Sequence, residues 1–268
     1  MLGTNILGIS LIIITLGGVL VTLRHFVKKI YLDNPFKYHG RITDAHHFFG
    51  RKALLQDIFE NLTRGQNIFL FGEKGIGKSS ILSMVCKHIY EQTISHHHAE
   101  TFIYLDMQYV NNQEEFFDAL CIELGVPLCL PYELVRLLEG KRYIVCLDHI
   151  EKIAHTRFSR IPIVLRGLAN SPHAPLTLVI ASCLSARKLA QISKEMSSLI
   201  GVCHLIEIPP FSLEEIRHFA QLRLESSEIK FTESDIQFLW KETQGHPRRL
   251  QKVAAELYQR RHFSRKLF

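Results

Sequence analysis

The chain has 268 residues, of which 47% are hydrophobic and 22% charged, with only 15 glycines and 9 prolines; this composition excludes a disordered or fibrous protein. The formal net charge of +6 lies at the carboxyl terminus, because residues 248–268 hold seven Lys or Arg and one Glu, which leaves residues 1–247 neutral. The six cysteines form no CxxC pair, and most lie in apolar runs, which predicts free thiols rather than disulfides.

An apolar run opens the chain. Leu2–Leu23 contains no charged residue, and as a helix it would be about 33 Å long, against a hydrocarbon core of about 30 Å. No Lys or Arg precedes the run and Arg24, Lys28 and Lys29 follow it, so the positive-inside rule predicts an outside N-terminus and a cytoplasmic remainder. The run is too long for a signal peptide and lacks a small-residue cleavage site. We therefore predict a single-pass membrane anchor with its basic flank over residues 1–29.

A connector over residues 30–47 leads into a region, residues 48–210, in which apolar strand patterns alternate with helical patterns. Strands that alternate with helices form parallel sheets covered on both faces, so this region predicts an α/β domain. The predicted strands are Asn67–Phe71, Thr101–Asp106, Tyr143–Asp148, Leu176–Ala181 and Cys203–Ile208. The predicted helices are a segment ending near Leu62, then Lys78–Glu91, Glu114–Leu124, Tyr132–Leu138, Ser159–Ala169 and Arg187–Ser197.

Only helical patterns follow Pro209-Pro210. Capping-box sequences begin at Ser212 and Thr232, and Pro247 is placed to open a third helix that ends near Arg261. Residues 211–268 are therefore predicted to form a small helical domain with a basic tail.

A glycine-rich loop joins the first predicted strand to a helix. Gly72-Glu-Lys-Gly-Ile-Gly-Lys78-Ser79 matches G-x-x-x-x-G-K-[ST], in which backbone amides and a helix N-terminus surround phosphates. Lys78 is predicted to contact the β- and γ-phosphates, and Ser79 to bind Mg²⁺. The motif thus predicts an ATP/ADP site formed by Gly72, Glu73, Lys74, Gly75, Ile76, Gly77, Lys78, Ser79 and Ser80.

A second Mg²⁺ ligand is expected at the end of another strand, and Asp148 occupies such a position, 70 residues after Lys78. Glu151 is the nearest carboxylate that could polarise an attacking water, and it equally suits a surface position. Asp106 and Gln108 follow the second predicted strand on the same edge, where a role in the turn is favoured.

These motifs resemble those of the STAND ATPases and their relatives, the origin-recognition-type AAA+ and archaeal-type ATPases. Phe48-Phe49-Gly50-Arg51 and "NIFLFGEKGIGKSSIL" resemble their F-x-G-R box and Walker A, and "YIVCLDHIEKI" resembles their Walker B. "LTLVIASC" is similar to their sensor 1 strand, and "GHPRRL" to the GxP motif of STAND lids and to the AAA+ sensor 2. The similarity extends from about Phe48 to Tyr258.

The resemblance implies a P-loop NTPase three-layer sandwich with a five-stranded parallel sheet and a helical lid. It implies that Phe49 and Gly50 border adenine, that Ser182 senses the γ-phosphate, and that Pro247 or Arg248 reports it to the lid. Catalysis would then rest on Lys78, Asp148, Glu151 and Ser182. The chain departs from many AAA+ ATPases because His149 follows Asp148 where they carry Glu, so either Glu151 takes that role or hydrolysis is slow.

Together these features predict a membrane-anchored ATP-binding protein, an ATPase that switches with its nucleotide and signals to a protein partner or a second copy. Two alternatives stay open. One is an origin-recognition-like ATPase whose basic tail binds DNA, and the other a protein that binds nucleotide without hydrolysing it. The tail also suits an anionic membrane surface, although a solvated helix end is its ordinary role.

Overall fold

A computed structural model describes residues 34–36, 40–96, 101–171 and 173–266, without the side chains of residues 88–96 and 265–266. The predicted anchor, Leu2–Leu23, lies outside the described residues. Among the helices that are described, none is both long enough and apolar enough to cross a membrane.

The described chain divides into two compact units. One, the α/β unit, contains residues 40–212 together with His246–Arg248. The other, the helical unit, contains residues 34–36, Leu213–Gly245 and the chain from Arg249. The short segment His246–Arg248 thus belongs to the α/β unit, although more than 30 residues separate it from Ser212 in the sequence.

The α/β unit is built on five parallel strands in the order β2-β3-β4-β1-β5. They are β1 (Asn67–Phe71), β2 (Thr101–Asp106), β3 (Tyr143–Asp148), β4 (Leu176–Ser182) and β5 (Cys203–Glu207). The predicted α/β class and the five-stranded parallel sheet are confirmed. Because all strands run the same way, their carboxyl ends meet at one edge, where Asp106 pairs with Asp148 and Phe71 with Ser182.

Helices cover both faces of this sheet because the strand residues alternate between two apolar layers. Val145 and Leu147 point into a layer with Phe116 of α3 and Leu165 of α5. Their neighbours Ile144 and Cys146 point the other way, against residues of α1 and α2. The helices of this unit are α1 (Lys52–Thr63), α2 (Lys78–His96), α3 (Gln113–Leu124), α4 (Pro131–Leu137), α5 (Arg160–Ala169), α6 (Ala186–Ile192) and α7 (Lys194–Ile200).

The helical pattern predicted around Arg187–Ser197 is confirmed, but the chain forms two helices there, α6 and α7, instead of one. Ser193 between them has extended backbone angles (φ −146°, ψ 129°), and its hydroxyl accepts a hydrogen bond from the Met196 amide at 3.1 Å. A serine in this position satisfies the first free amides of a new helix. The apolar periodicity continues across the break, so it does not reveal it.

The helical unit consists of α8 (Leu213–Arg223), α9 (Glu233–Thr243) and α10 (Pro247–Lys266), with α10 extending five residues beyond the predicted end. The capping box predicted at Thr232 is confirmed. The Thr232 hydroxyl accepts a hydrogen bond from the Asp235 amide, and the Asp235 carboxylate accepts one from the Thr232 amide. Phe36, from the predicted connector, is fully buried here and stacks on Phe231 with ring centroids 5.4 Å apart. The beginning of the connector therefore contributes to the core of the helical unit.

Candidate nucleotide site

The glycine-rich loop lies between the end of β1 and the start of α2, as its sequence predicts. Gly75 (φ +90°) and Gly77 (φ +108°) both have left-handed backbone, which side-chain-bearing residues rarely adopt. A β-carbon on Gly75 would come within 2.9 Å of Arg248 Cδ, whereas one on Gly77 would meet no described atom within 4 Å. Open space therefore adjoins the loop at Gly77, where the motif predicts a phosphate.

The other loop residues differ in exposure. Ile76 is buried in the apolar layer beneath α2, while Glu73 and Lys74 are exposed. Ser79 is partly buried in the first turn of α2. Ser80 is buried, and its hydroxyl accepts a hydrogen bond from the Ile42 amide at 2.9 Å, so this predicted nucleotide ligand contacts the connector.

Lys78 folds back over its own loop. Its ammonium donates hydrogen bonds to the carbonyl oxygens of Gly72 at 2.7 Å and Glu73 at 2.8 Å, and the side chain is buried. Burial lowers the pKa of Lys78, and the charges of Cys183, Glu151 and Asp148 oppose that shift. The ammonium is thus within electrostatic range of both acidic residues that the sequence assigns to the site.

Asp148 ends β3 and is completely buried. Its Oδ2 accepts a hydrogen bond from the Tyr104 hydroxyl at 2.7 Å, and its Oδ1 accepts one from the His149 amide at 3.0 Å. Sequence reasoning missed Tyr104, which lies two residues before the end of β2. The available signal was its place near the end of a predicted strand, and the sequence does not show that this strand neighbours β3.

His149 adopts left-handed backbone (φ 57°), and its Nδ1 lies 3.0 Å from Asp106 Oδ1 and 3.6 Å from Asp148 Oδ1. Each of three residues, Asp106, Asp148 and His149, offers one atom that could bind a metal ion, and these three atoms lie within 4.8 Å of one another. Asp106 also accepts the Gln108 amide at 2.9 Å, the turn role that the sequence favours. A buried carboxylate beside the Walker A helix suits the hard oxygen ligation of Mg²⁺, so the residues fit this ion.

Glu151 joins the turn after β3 to the end of β4. Its Oε2 accepts hydrogen bonds from the Ser182 hydroxyl at 3.0 Å and from the Cys183 amide at 3.2 Å. Its Oε1 accepts one from Cys183 Sγ at 3.0 Å. Ser182 is fully buried, and its oxygen also accepts the Leu184 amide at 3.0 Å. The structure therefore brings together the residues predicted as catalytic glutamate and as sensor 1.

The F-x-G-R box lies at the start of α1. Gly50 (φ 67°) and Arg51 (φ 64°) are consecutive left-handed residues that turn the chain into the helix. The Phe49 ring packs edge-on against Phe211 with centroids 5.7 Å apart, and the Arg51 guanidinium lies 4.6 Å from the same ring. Adenine contact by Phe49 and Gly50 stays a prediction.

Residues of the "GHPRRL" segment contact the phosphate loop. His246 is buried, and its Nε2 lies 3.2 Å from the Lys74 carbonyl oxygen and 3.8 Å from a Glu73 carboxylate oxygen. Arg248 packs its aliphatic part against Gly75, while Pro247 between them opens α10. His246 was not singled out from the sequence, although it lies within a motif that was.

A family model described as "Novel STAND NTPase 1" matches residues 37–267. The chain belongs to this family of STAND NTPases. No curated protein matches the sequence significantly.

Solved structures share the fold of this STAND NTPase. A Walker-type ATPase of Pyrococcus abyssi is 17% identical with a TM-score of 0.62, over 87% of this chain and 75% of that one. The ORC1 protein of Aeropyrum pernix, solved in complex with DNA, is 19% identical with a TM-score of 0.59, over 80% and 61%. AMPPCP-bound DnaA of Aquifex aeolicus is 17% identical with a TM-score of 0.53, over 75% and 59%. The STAND NTPase thus spans about three-fifths to three-quarters of these chains, and at these identities the likeness concerns the fold alone.

Proposed function

We propose that this STAND NTPase binds ATP with Mg²⁺ and signals its nucleotide state to a protein partner, while the apolar N-terminal run holds it at a membrane. The observation that carries the proposal is the contact of His246 and Arg248 with loop residues Lys74 and Gly75. A phosphate bound in the loop would adjoin these contacts. Because Pro247 begins α10, a change there acts on the first turn of a 20-residue helix.

Binding would begin with the Lys78 ammonium, which now bonds two carbonyl oxygens of the loop. Charged phosphate oxygens are stronger acceptors than neutral carbonyls, so the ammonium would turn to the nucleotide. Ser79 and Asp148 would hold Mg²⁺, which when bound supplies positive charge against the phosphates. Asp148 is fixed for this task by hydrogen bonds to both of its oxygens.

Hydrolysis needs a group that orients a water molecule and accepts its proton. Glu151 is the residue proposed for this role, yet both of its oxygens accept hydrogen bonds from Ser182 or Cys183. It would have to release one of these bonds to contact a water. We therefore propose slow turnover, which suits a switch whose ATP-bound state must persist.

The experiment compares binding of a fluorescent ATP analogue to the wild type, Lys78→Ala and Lys141→Ala. Loss of a charge-assisted contact in Lys78→Ala should weaken binding roughly 10- to 100-fold. Lys141 is an exposed lysine that precedes β3, outside the proposed site, and it serves as the control, with an expected change below about twofold. Unchanged binding by Lys78→Ala would refute the proposed site.

DNA binding is the second candidate function, because the seven cations of residues 248–268 form a basic tail and the fold is shared with a protein solved on DNA. Contacts to DNA phosphates weaken as salt rises, so salt-dependent DNA binding and DNA-stimulated hydrolysis are its expected signs. Strong stimulation by DNA would favour this candidate over a membrane-held switch.

A further inference from the structure

Tyr104 lies on β2, beside Cys146 of β3, and reaches the Walker B carboxylate from the neighbouring strand. Its hydroxyl lies 2.7 Å from Asp148 Oδ2. An ionised carboxylate can only accept, so the phenol hydroxyl is the donor in this hydrogen bond. Asp148 is completely buried, and the His149 amide bonds its other oxygen. The tyrosine hydroxyl therefore restricts the orientation of a carboxylate proposed to bind Mg²⁺.

Packing alone does not account for this hydroxyl. A phenylalanine would fill the same space between β2 and α2, but it would leave Asp148 Oδ2 without this donor. A buried charge that loses a hydrogen-bond donor is costly unless it moves or acquires a counter-ion. The Tyr104 hydroxyl therefore serves to donate a hydrogen bond to the Asp148 carboxylate, and packing in the apolar layer does not require it.

The connector contacts the same group of residues. The Arg41 guanidinium carbon lies 4.3 Å from the centroid of the Tyr104 ring, an arrangement in which the cation attracts the ring face. The next residue, Ile42, donates its amide to the Ser80 hydroxyl in the first turn of α2. Two consecutive connector residues therefore contact the ring bonded to Asp148 and the residue that follows Ser79.

We propose that Tyr104 is a positioning residue for Asp148, and that Arg41 holds the Tyr104 ring in place, so that the connector influences the Mg²⁺ affinity of the nucleotide site. This inference rests on the nucleotide binding proposed above. It assigns to the connector a part in the site itself, in addition to joining the N-terminal run to the α/β unit.

The test measures the affinity of a fluorescent ATP analogue in EDTA and across a Mg²⁺ titration. Residues that orient a metal ligand typically account for 10- to 100-fold in metal affinity, so Tyr104→Phe should weaken Mg²⁺ affinity by about that factor. Affinity in EDTA should not change. Tyr143→Phe is the matched control: Tyr143 is a buried tyrosine at the opposite end of β3, with its hydroxyl bonded to the Leu124 carbonyl at 3.3 Å.

A double-variant cycle tests whether Tyr104 acts through Asp148. Asp148→Asn should itself remove most of the Mg²⁺ dependence, and Tyr104→Phe should add no further loss in that background. An additional tenfold loss would mean that Tyr104 acts independently of Asp148 and would overturn the proposal.

Arg41→Ala provides a second variant that removes only an exposed side chain, so folding is not at risk. Loss of a cation–π contact at an exposed site should weaken Mg²⁺ affinity roughly two- to fivefold, while Arg142→Ala, also exposed, should have no effect.

The outcomes separate this inference from the function on which it rests. If Tyr104→Phe weakens nucleotide affinity equally in EDTA and in Mg²⁺, Tyr104 has a merely structural role. If the variant leaves Mg²⁺ affinity unchanged, Tyr104 does not position Asp148. Either result would overturn the inference and leave the proposed function intact. Failure of the wild type to bind nucleotide under both conditions would overturn the proposed function and the inference together.

Discussion

At the scale of single residues, Glu151 combines two tasks that the chemistry assigns to separate groups. It is the carboxylate proposed to orient water, and it also accepts hydrogen bonds from Ser182 and Cys183 at the end of β4. His149, which stands directly after Asp148, is bonded to Asp106. Glu151 is therefore the carboxylate whose removal best distinguishes a hydrolase from a protein that only binds nucleotide.

We expect Glu151→Gln to reduce the rate of ATP hydrolysis at least about a hundredfold, because a neutral amide cannot accept the proton of an attacking water. Binding of ATP should be retained, since the amide oxygen can still accept a bond from Ser182 or Cys183. The measurement is phosphate release under single-turnover conditions beside equilibrium binding of the analogue. Glu139→Gln, at an exposed position, is the control. Wild-type hydrolysis by Glu151→Gln would exclude Glu151 as the catalytic carboxylate.

At the scale of elements, the strands and the capping box at Thr232 were predictable because they depend on local sequence: apolar alternation for strands, and a threonine three residues before an acidic side chain for the cap. The contacts of Tyr104 with Asp148 and of His246 with Lys74 were not predictable, since they join residues 44 and 172 positions apart. Such contacts depend on strand order and loop path, which no local pattern records.

The cap of α9 can be tested through Asp235. Its carboxylate accepts a hydrogen bond from the Thr232 amide at 2.9 Å and another from the Arg261 guanidinium at 2.7 Å. Burial alone would raise the pKa of Asp235, but the bonds from Arg261 and Thr232 outweigh it and leave the pKa below its usual value. The carboxylate therefore stabilises the fold above the unfolded pKa of about 4, and this contribution is lost as the pH falls through the lowered native pKa.

Asp235→Ala should accordingly lower the free energy of unfolding by about 1–2 kcal/mol at pH 7, and the difference from wild type should shrink at pH 3 and below. Urea unfolding followed by circular dichroism at both pH values measures this. Glu242→Ala, an exposed change on the same helix, should have little effect at either pH. A destabilisation that does not depend on pH would mean that packing rather than the charged cap is responsible.

At the scale of the whole molecule, the fold and the family agree with the motifs, whereas the proposed membrane attachment rests on residues outside the described structure. The charge distribution is consistent with attachment, because Arg24, Lys28 and Lys29 follow directly after the apolar run. The basic residues of 248–268 would add to the attraction if they approach an anionic leaflet.

Deletion of residues 2–23 should move the protein from the membrane fraction to the soluble fraction, while binding of the ATP analogue stays within about twofold, because the loop, Asp148 and Glu151 are all retained. Carbonate extraction of membranes, followed by quantitative blotting, measures the distribution. Retaining the run but replacing Leu11 with Ala should preserve membrane attachment, since one small residue leaves the segment apolar. Recovery of the full chain in the soluble fraction without detergent would contradict the anchor.

The grouping of His246–Arg248 with the α/β unit has a practical consequence for producing fragments of this protein. A truncation after Ser212 would retain every strand and both Walker motifs, but it would remove His246 from Lys74 and Arg248 from Gly75. A fragment shortened in this way would therefore lack two residues that contact the phosphate loop. Minimal versions of this NTPase should retain the chain through at least the first turn of α10, and assays on shorter fragments would report on a different site.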